Sequence, residues 1–394
     1  MNARRILLEM FDAALRAVDG RASVAKFLDG ARPAGRIQVF AIGKAASAMA
    51  LGAHDILGAA IEATLVITKD GHADPGLERR RGVTVIESAH PVPDERSLVA
   101  GLTLQNRLRE MQDEVTPLFL VSGGSSSVVE LLRDDATLEQ LRALNERGLA
   151  AGWDIATLNA QRARLSQLKA GGVARLLAGR RALALFVSDV PGDDPDVIGS
   201  GLLGRDCGRA DAVERHVVAN VEVAVRAALE SAHARGLTMQ ASDERFAGEA
   251  DDVSLRMLAA ARACECDGLV WGGESTVTLP PRHGRGGRNT HLALSFARHL
   301  HAGEPWLLLA AGTDGTDGPT SDAGAIVDVG TIERATIAGC DVERAWHEFD
   351  SGIALEAAED LVHTGPTGTN VGDILIAIKQ SANPLRGQAM PRML

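Results

Sequence analysis

A glycine followed by a lysine stands directly after the apolar run Arg36–Ile42 and is suited to bind an anion. Gly43 allows a tight turn from a strand into a helix, which places Lys44 in the first helical turn. The helix dipole disfavours a cation there, and a bound anion would relieve that conflict. Because arginine supplies most of the basic residues of this chain, a lysine here indicates a role for a compact ammonium group. The alternative is an ordinary surface lysine that begins a helix.

A second glycine-rich segment, Ser122–Ser127, follows the apolar run Pro117–Val121. Gly123 and Gly124 expose backbone N–H groups, and the serine hydroxyls, including that of Ser125, add further donors. This pattern predicts a nest for a carboxylate or a phosphate. The alternative is a flexible turn with a serine N-cap.

Three aspartates crowd the segment Ser188–Asp194, which follows the apolar run Ala182–Val187. Their carboxylates repel one another unless a cation lies among them, and Mg²⁺ prefers oxygen ligands of this kind. Asp189 and Asp193 are therefore candidate metal ligands. The alternative is a solvated acidic turn.

Three further loops lie in the remainder of the chain. In Gly284–Asn289, Arg288 falls in the first turn of the next helix, where its guanidinium can bind a phosphate through two hydrogen bonds. The other two loops are Gly312–Thr320, which follows the apolar run Trp306–Ala311, and Thr364–Asn370. Each loop alone could be a simple turn, but six such loops in one chain indicate ligand binding.

Several catalytic motifs are absent from the sequence. The Gly43-Lys44 pair lacks both the earlier glycine and the following serine or threonine of a P-loop. No complete G-x-G-x-x-G follows an apolar run, which argues against a nicotinamide cofactor. The nucleophile elbow G-x-S-x-G and the zinc motif H-E-x-x-H are also missing.

The composition excludes several classes of partner. The chain has 394 residues, of which 45% are hydrophobic, and is long enough for two domains with their own cores. Its net charge of −11 argues against nucleic acid, and 3% aromatic residues without a tyrosine offer few base-stacking platforms. No apolar run is long enough to span a membrane. The four cysteines form neither a C-x-x-C pair nor a ligand spacing with histidine, which predicts reduced thiols in a cytoplasmic protein.

Short β-branched runs alternate with longer amphipathic segments, which is typical of a parallel sheet covered by helices. The pattern restarts near Gly236, so we predict domains at residues 1–235 and 236–394. The predicted strands are Arg36–Ile42, Ala63–Thr68, Val83–Ile86, Pro117–Val121, Ala182–Val187, Gly268–Trp271, Thr276–Leu279 and Trp306–Ala311. The predicted helices are Met1–Gly30, Lys44–Leu57, Arg96–Met111, Thr137–Ala151, Ile155–Leu168, Asp211–Arg235, Gly248–Cys264 and Gly287–Leu300.

Taken together and in this order, the loops resemble those of the type 2 glycerate kinases, the family with a C-terminal MOFRL domain. The resemblance spans almost the whole chain and includes several long, specific motifs. Besides the loops described above, the residues that carry it are His90–Glu95, Asn159, Gly273–Val277 and Thr364–Val371.

The resemblance implies two α/β domains, the N-terminal one a Rossmann-like, mostly parallel sheet with helices on both faces, and an active site in the interdomain cleft. It also implies a kinase that transfers phosphate from ATP, with Mg²⁺, to a hydroxyl of a small anionic hydroxy acid, which is D-glycerate or a related sugar acid. Lys44 and Arg288 match the family's essential lysine and arginine, and Asp189 matches its acidic loop. The residues expected to bind substrate or nucleotide are Gly43, Ser122, Gly123, Gly124, Ser125, Asn159, Asn289, Thr313, Asp314, Asp317, Thr367 and Asn370.

In the mechanism that these residues suggest, Lys44 and Arg288 flank the moving phosphoryl group. Asp189, together with Asp193 and with Asp314 or Asp317 as further candidates, holds Mg²⁺ or accepts the hydroxyl proton. Which loop binds the nucleotide is left open, and so is a homodimer. One alternative function is an NAD(P)H-dependent hydroxypyruvate reductase, a label that some family members carry. Another is a small-molecule binder without catalysis on the same scaffold.

The sequence departs from the family pattern beside the expected site. Thr290-His291 replaces Gln-Glu directly after Arg288, and Arg164 replaces a histidine. Both changes make the neighbourhood more positive. They predict that the best substrate is a more anionic or larger hydroxy acid than D-glycerate, because unpaired buried cations are costly.

Overall fold

The computed structural model describes residues 3–150, 155–205 and 212–380, which form two compact units. The parallel-sheet unit comprises the described residues of Val18–Asn220 together with Gly368–Val371. The mixed-sheet unit comprises those of Met1–Ala17, Val221–Thr367 and Gly372–Leu394. Each unit has a sheet and a hydrophobic core of its own.

The secondary structure alternates between helices and strands in both units. The strands are β1 (Arg36–Ile42), β2 (Ile61–Lys69), β3 (Val83–Ser88), β4 (Val115–Ser122), β5 (Ala182–Val187), β6 (Val213–Ala219), β7 (Met239–Ala241), β8 (Phe246–Glu249), β9 (Gly268–Thr276), β10 (Trp306–Gly312), β11 (Gly324–Val327), β12 (Leu361–Val362) and β13 (Asp373–Lys379). The helices are α1 (Ala3–Ala17), α2 (Gly20–Gly30), α3 (Ala46–Leu57), α4 (Pro75–Glu78), α5 (Glu95–Glu110), α6 (Ser125–Val128), α7 (Leu138–Ala150), α8 (Ile155–Leu165), α9 (Gly172–Leu176), α10 (Val221–His233), α11 (Ala250–Ala263), α12 (Arg288–Arg298), α13 (Thr331–Ile337), α14 (Val342–His347) and α15 (Ser351–Ala357). Short 3₁₀ turns lie at Gly58–Ala60 and Ile198–Ser200.

Among the described residues, the sheet of the parallel-sheet unit has six strands in the order β3-β2-β1-β4-β5-β6, and every neighbouring pair is parallel. Strand β5 is buried along its whole length, as expected for a strand covered on both faces. The order of connection reverses between β1 and β4, and ligands of such sheets bind there, beyond the carboxyl ends of the strands. The predicted Rossmann-like sheet is confirmed.

The sheet of the mixed-sheet unit has the order β12-β11-β10-β13-β9-β7, with β8 paired to β9 beside this path. Strands β7 and β8 run parallel to β9, whereas the remaining pairs are antiparallel. Helix α12 is buried from Asn289 to Ala297 and packs Leu292 and Phe296 into the core with Trp271 of β9. The second α/β domain that the resemblance implies is therefore present.

Two predicted helices are wrong. The described part of Met1–Gly30 forms two helices, because Asp19 caps a new helix by accepting a hydrogen bond from the backbone of Ala22 (2.7 Å). In the described part of Asp211–Arg235, Val213–Ala219 forms strand β6 instead. Its pairing with the distant strand β5 overrides the local helical periodicity.

A predicted strand is also wrong. Strand β9 already extends to Thr276 and ends there, so the predicted strand Thr276–Leu279 does not form. The predicted helix Gly248–Cys264 begins two residues late, at Ala250, because Gly248 and Glu249 still belong to strand β8. The predicted helix Lys44–Leu57 also begins two residues late, at Ala46, so Lys44 lies in the turn before the helix and not in its first turn.

The predicted domain ranges, 1–235 and 236–394, differ from the two units. Helix α10 packs against α1 and β9, so both helices belong to the mixed-sheet unit. The short segment Gly368–Val371 joins the parallel-sheet unit, where Thr369 Oγ1 donates a hydrogen bond to the carbonyl of Val18 (2.6 Å). Both differences from the predicted ranges arise because segments far apart in the sequence pack together.

The structure joins Cys264 and Cys266 by a disulfide bond, so the prediction of reduced thiols is wrong for this pair. Cys340 is a free thiol, and Cys207 lies outside the described residues. Within the described ranges, no helix is both long and apolar enough to cross a membrane.

Replacement of Gly101 by alanine is expected to destabilise the fold. A Cβ atom at this position of α5 would lie 1.9 Å from the carbonyl oxygen of Glu130, so backbone would have to move. Overpacking of this kind typically costs about 1–3 kcal/mol. Urea unfolding of Gly101→Ala measures the loss. The matched control is Gly30→Ala, also in a helix, where a Cβ meets nothing within 4 Å. Equal stability of the two variants would contradict the packing argument.

Candidate active site

The loops after β1 and β4 pack directly against each other at the switch point of the parallel sheet. The backbone N–H of Lys44 donates to the carbonyl of Gly123 (2.9 Å), and the N–H of Ala45 donates to Ser122 Oγ (3.0 Å). Gly43 has a φ of 119°, and a Cβ on it would lie 2.4 Å from Ser122 Oγ. Only glycine therefore fits at position 43, and the two predicted loops form one structure.

Two side chains meet over Gly124, the second glycine of the loop after β4. A Cβ at this position would lie 3.1 Å from Lys44 Cγ and 3.3 Å from His90 Nε2. A second histidine, His72, places Nδ1 at 3.2 Å from the carbonyl oxygen of Lys44. The structure thus brings the predicted lysine together with His90, which the sequence placed only within a family motif.

The acidic loop and the last predicted loop meet over Gly123. Asn370 Nδ2 donates to Asp189 Oδ2 (2.9 Å). A Cβ on Gly123 would lie 1.9 Å from Asp189 Oδ2 and 2.0 Å from Asn370 Nδ2, so a larger residue would displace both side chains. Three predicted site residues, distant in the sequence, are therefore in contact.

The second predicted metal ligand has a different partner. Asp193 Oδ2 accepts a hydrogen bond from Asn220 Nδ2 (2.6 Å). Among the described residues there is no group of three or more histidine, cysteine, aspartate or glutamate side chains that could hold a metal ion. The described residues therefore form no metal cage of their own.

The serines of the loop after β4 lie beside the 3₁₀ turn Ile198–Ser200. Ser126 Oγ is 2.7 Å from Ser200 Oγ, which donates to Asn159 Oδ1 (2.8 Å). Ser125 is fully buried, and a Cβ on Gly199 would lie 2.3 Å from its Oγ. Of the predicted residues, Ser125 is thus a buried part of this loop, and Asn159 is connected to the loop through Ser200.

In the mixed-sheet unit, Arg288 opens helix α12 and is held by two carboxylates. Its Nε and Nη2 donate to Asp373 (2.6 and 2.9 Å), and its Nη1 lies 2.6 Å from Glu274 Oε1. Burial acts to lower the pKa of Arg288, but Asp373 and Glu274 outweigh it and raise the pKa well above its usual value. The Asp373 side chain is inaccessible, whereas those of Arg288 and Glu274 are 33% and 47% exposed.

Asp373 lies outside the motifs that the sequence pointed to. Its signal in the sequence is a carboxylate at the first position of β13, directly before an apolar run of five residues. A buried carboxylate on a strand needs a charged or hydrogen-bonded partner. The identity of that partner, Arg288, follows only from the pairing of β13 with β9 and β10.

Asp317 fixes the N-terminus of helix α12. Its carboxylate accepts hydrogen bonds from the backbone of Asn289 (2.9 Å) and from the backbone and hydroxyl of Thr290 (both 2.8 Å). Burial raises the pKa of Asp317, and these hydrogen bonds oppose the rise. The Asn289 side chain is buried, with no hydrogen-bond partner among the described residues.

The remaining predicted residues of this unit stabilise its loops. Asp314 Oδ1 accepts from the backbone (2.9 Å) and hydroxyl (3.0 Å) of Thr316. Thr313 Oγ1 donates to the carbonyl of Gly372 (2.6 Å), and Thr367 Oγ1 donates to the carbonyl of Thr313 (2.5 Å). These bonds tie the loop after β10 to both ends of the segment that precedes β13.

The departures from the family pattern do not add a free charge to an open site. His291 is buried, stacks on Phe349 with ring centroids 4.5 Å apart, and lies 3.4 Å from Asp251. Burial alone would raise the pKa of Asp251, but hydrogen bonds from His291 and its neighbours lower it to about 2. Thr290 is buried as well, and Arg164 is exposed to solvent. Thr290 and His291 therefore pack in the interior, and the preference for a more anionic substrate stays a prediction.

Comparisons with known proteins determine the family. Residues 6–232 match a domain family of unknown function, DUF4147, and residues 268–373 match the MOFRL family. The D-glycerate 2-kinase of Thermotoga maritima is 32% identical, over 87% of this chain and 90% of its own length. The chain belongs to the glycerate 2-kinase family. A crystal structure of the glycerate kinase from Thermotoga maritima superposes with a TM-score of 0.82 at 31% identity, covering 95% of this chain and 99% of that one.

Other members of the glycerate 2-kinase family extend the comparison. The glycerate 2-kinase of Pyrococcus horikoshii is 33% identical over 88% of both chains. A relative in Agrobacterium vitis, 33% identical over 95% of this chain and 94% of its own length, carries a provisional hydroxypyruvate reductase name. The resemblance inferred from the loops is therefore confirmed.

Loss of Arg288 is expected to destabilise this glycerate 2-kinase family member by leaving Asp373 buried and unpaired. Breaking a buried ion pair costs about 3–5 kcal/mol, and the partial exposure of Arg288 places the expected value near the lower end. Urea unfolding of Arg288→Met measures the cost, with the exposed Arg282→Met as the control. The double variant Arg288→Met/Asp373→Leu should recover most of the loss. Additive effects of the two substitutions would show that the pair does not couple.

Proposed function

We propose that this chain transfers the γ-phosphoryl group of ATP to the 2-hydroxyl of D-glycerate and so produces 2-phosphoglycerate. The observation that carries the proposal is the cluster of Lys44, Asp189 and Asn370 around Gly123 and Gly124. This cluster lies at the switch point of a doubly wound sheet, where such sheets bind ligands, in a member of the glycerate 2-kinase family.

Phosphoryl transfer depends mainly on positioned charges, because the protein does little covalent chemistry itself. The ammonium group of Lys44 neutralises charge on the moving phosphoryl group. In the mixed-sheet unit, the family pattern assigns phosphate binding to Arg288 as well: Glu274 is half exposed and would exchange with a phosphate oxygen, while the buried Asp373 keeps the guanidinium in place.

Asp189 accepts the proton of the attacking hydroxyl. Asn370 Nδ2 donates to Asp189 Oδ2 and thereby orients the carboxylate, which is what a general base requires. The glycine at position 123 supports this role, since it allows both side chains to lie against the backbone of the loop.

ATP binds with Mg²⁺, which neutralises charge on the transferred phosphate. Mg²⁺ is usually held by one or two carboxylates together with substrate phosphates. This arrangement agrees with the absence of a three-ligand cluster among the described residues. Because Asp189 serves as the base in this scheme, the other predicted ligand, Asp193, is the carboxylate that would hold the ion. Because ATP is the donor, the proposed location is the cytoplasm.

The competing function is reduction of hydroxypyruvate with a nicotinamide cofactor. Its support is the strand order β3-β2-β1-β4-β5-β6, which dinucleotide-binding sheets share, and the name of the Agrobacterium vitis relative. The loop after β1 lacks the G-x-G-x-x-G pattern that brings a backbone close to a pyrophosphate.

Purified protein with ATP, Mg²⁺ and D-glycerate is expected to form ADP and 2-phosphoglycerate. NADH or NADPH with hydroxypyruvate is expected to remain unoxidised. A coupled ADP assay and the absorbance of NADH separate the two reactions in parallel samples. Nicotinamide oxidation without ADP formation would favour the reductase. The same ADP assay over longer and dicarboxylic hydroxy acids tests whether D-glycerate has the highest kcat/KM.

Lys44→Ala is expected to lower kcat by about 100-fold or more, since removal of one preorganised charge donor typically costs about 10²–10³-fold. Lys44→Arg should not restore the rate, because the guanidinium is larger and planar. Steady-state kinetics with thermal unfolding checks both variants, and Lys26→Ala, an exposed lysine of helix α2, is the control. Near-normal turnover of Lys44→Ala in a folded protein would place the site elsewhere.

A further inference from the structure

A polar cluster around Arg162 in helix α8 contains a guanidinium whose partners are uncharged. Arg162 Nε donates to Asn145 Oδ1 (2.7 Å), and Nη1 donates to Asn159 Oδ1 (3.5 Å). Among the described residues, these amide oxygens are the hydrogen-bond acceptors of Arg162, and the side chain is partly buried. A buried guanidinium ordinarily lies against a carboxylate or another anion.

The acidic group whose charge acts on Arg162 already has a cationic partner. Glu130 is fully buried, accepts hydrogen bonds from Lys169 Nζ and from Ser166 Oγ (2.5 Å), and forms an ion pair with that lysine. Burial lowers the pKa of Arg162, and Glu130 only opposes this effect. Within the part of the chain that the structure describes, the charges of Glu130, Lys169 and Arg162 therefore leave one positive charge uncompensated in a partly buried place. Such a charge is costly unless an anion joins it.

A second, independent observation is an orphan donor beside Arg162. Asn145 Nδ2 is buried and has no hydrogen-bond partner among the described residues, although Oδ1 of the same side chain accepts from Arg162. Because nearly all buried polar groups are hydrogen-bonded, an orphan donor next to an uncompensated guanidinium indicates that an acceptor is missing.

The cluster is connected to the loop after β4. Asn159 Oδ1, which accepts from Arg162, also accepts from Ser200 Oγ (2.8 Å), and Ser200 lies 2.7 Å from Ser126. Three hydrogen bonds thus lead from Arg162 to the segment Ser122–Ser127, which carries the candidate site at the switch point.

We propose that Arg162 and Asn145 form the receptor for the carboxylate of the substrate. This assignment rests on the proposed kinase function. A planar carboxylate can accept from the guanidinium fork and from the amide together, which would satisfy both the charge and the orphan donor. Since Lys44 serves the phosphoryl group in the proposed function, the anion that remains to be bound beside this loop is the carboxylate of D-glycerate.

The test compares Arg162→Met with Arg164→Met, an exposed arginine of the same helix. Arg162→Met is expected to raise KM for D-glycerate about 10- to 100-fold, as for loss of a charge-assisted hydrogen bond, with KM for ATP nearly unchanged. The neutral amide, glyceramide, should be turned over equally by wild type and by Arg162→Met. Without substrate, Arg162→Met should unfold near the wild-type temperature, because the loss of its hydrogen bonds to Asn145 and Asn159 is offset by removal of the uncompensated charge. Arg164→Met should behave as wild type throughout.

Several outcomes would overturn the assignment. An equal loss of activity toward D-glycerate and glyceramide would indicate a purely structural role for Arg162. A rise in KM for ATP alone would assign the cluster to a nucleotide phosphate instead. If the wild type phosphorylates neither compound, the proposed function itself fails, and thermal shifts then test the carboxylate receptor separately. In that case D-glycerate should stabilise the wild type and Arg164→Met but not Arg162→Met.

Discussion

Close packing between two glycine-containing loops at the switch point of the parallel sheet is the constraint on which the candidate site depends. Gly43 lies against the loop after β4 at a distance that excludes a Cβ, and the side chains of Asp189 and Asn370 lie equally close to Gly123. Because these loops directly follow the strands, the sheet sets the positions of the functional side chains. Lys44, Asp189 and Asn370 come together because no side chain separates the segments that carry them.

Charge compensation distinguishes two kinds of arginine in this protein. Arg288 is held by Asp373 and Glu274, so its guanidinium is stabilised before any ligand arrives. Arg162 has only amide oxygens as described acceptors, and the nearby carboxylate of Glu130 already belongs to Lys169. The first arrangement stabilises the fold at the N-terminus of α12. The second has a cost in the free protein that an anionic substrate would offset.

The sequence predicted the strands that carry the site better than it predicted the helices and domain limits. Strands β1 and β5 have the predicted bounds, since continuous apolar runs between turn residues are a strong local signal. Strand β6 was assigned to a helix because its periodicity is ambiguous and its partner, β5, is distant in sequence. Similarly, the disulfide between Cys264 and Cys266 was not predicted, because the spacing of these two cysteines matches no C-x-x-C motif.

Residue types, loop order and family resemblance were available from the sequence by itself: glycines after strands, a lysine between a strand and a helix, clustered aspartates and the order of the six loops. Only the tertiary structure decided which of these residues touch. In the folded chain Asn370 donates a hydrogen bond to Asp189, and Arg288 donates to Asp373. His291 is buried beside Asp251 and does not line an open site. The physical reason is that partner choice depends on strand order and on packing between distant segments, whereas composition and spacing report only on neighbours along the chain.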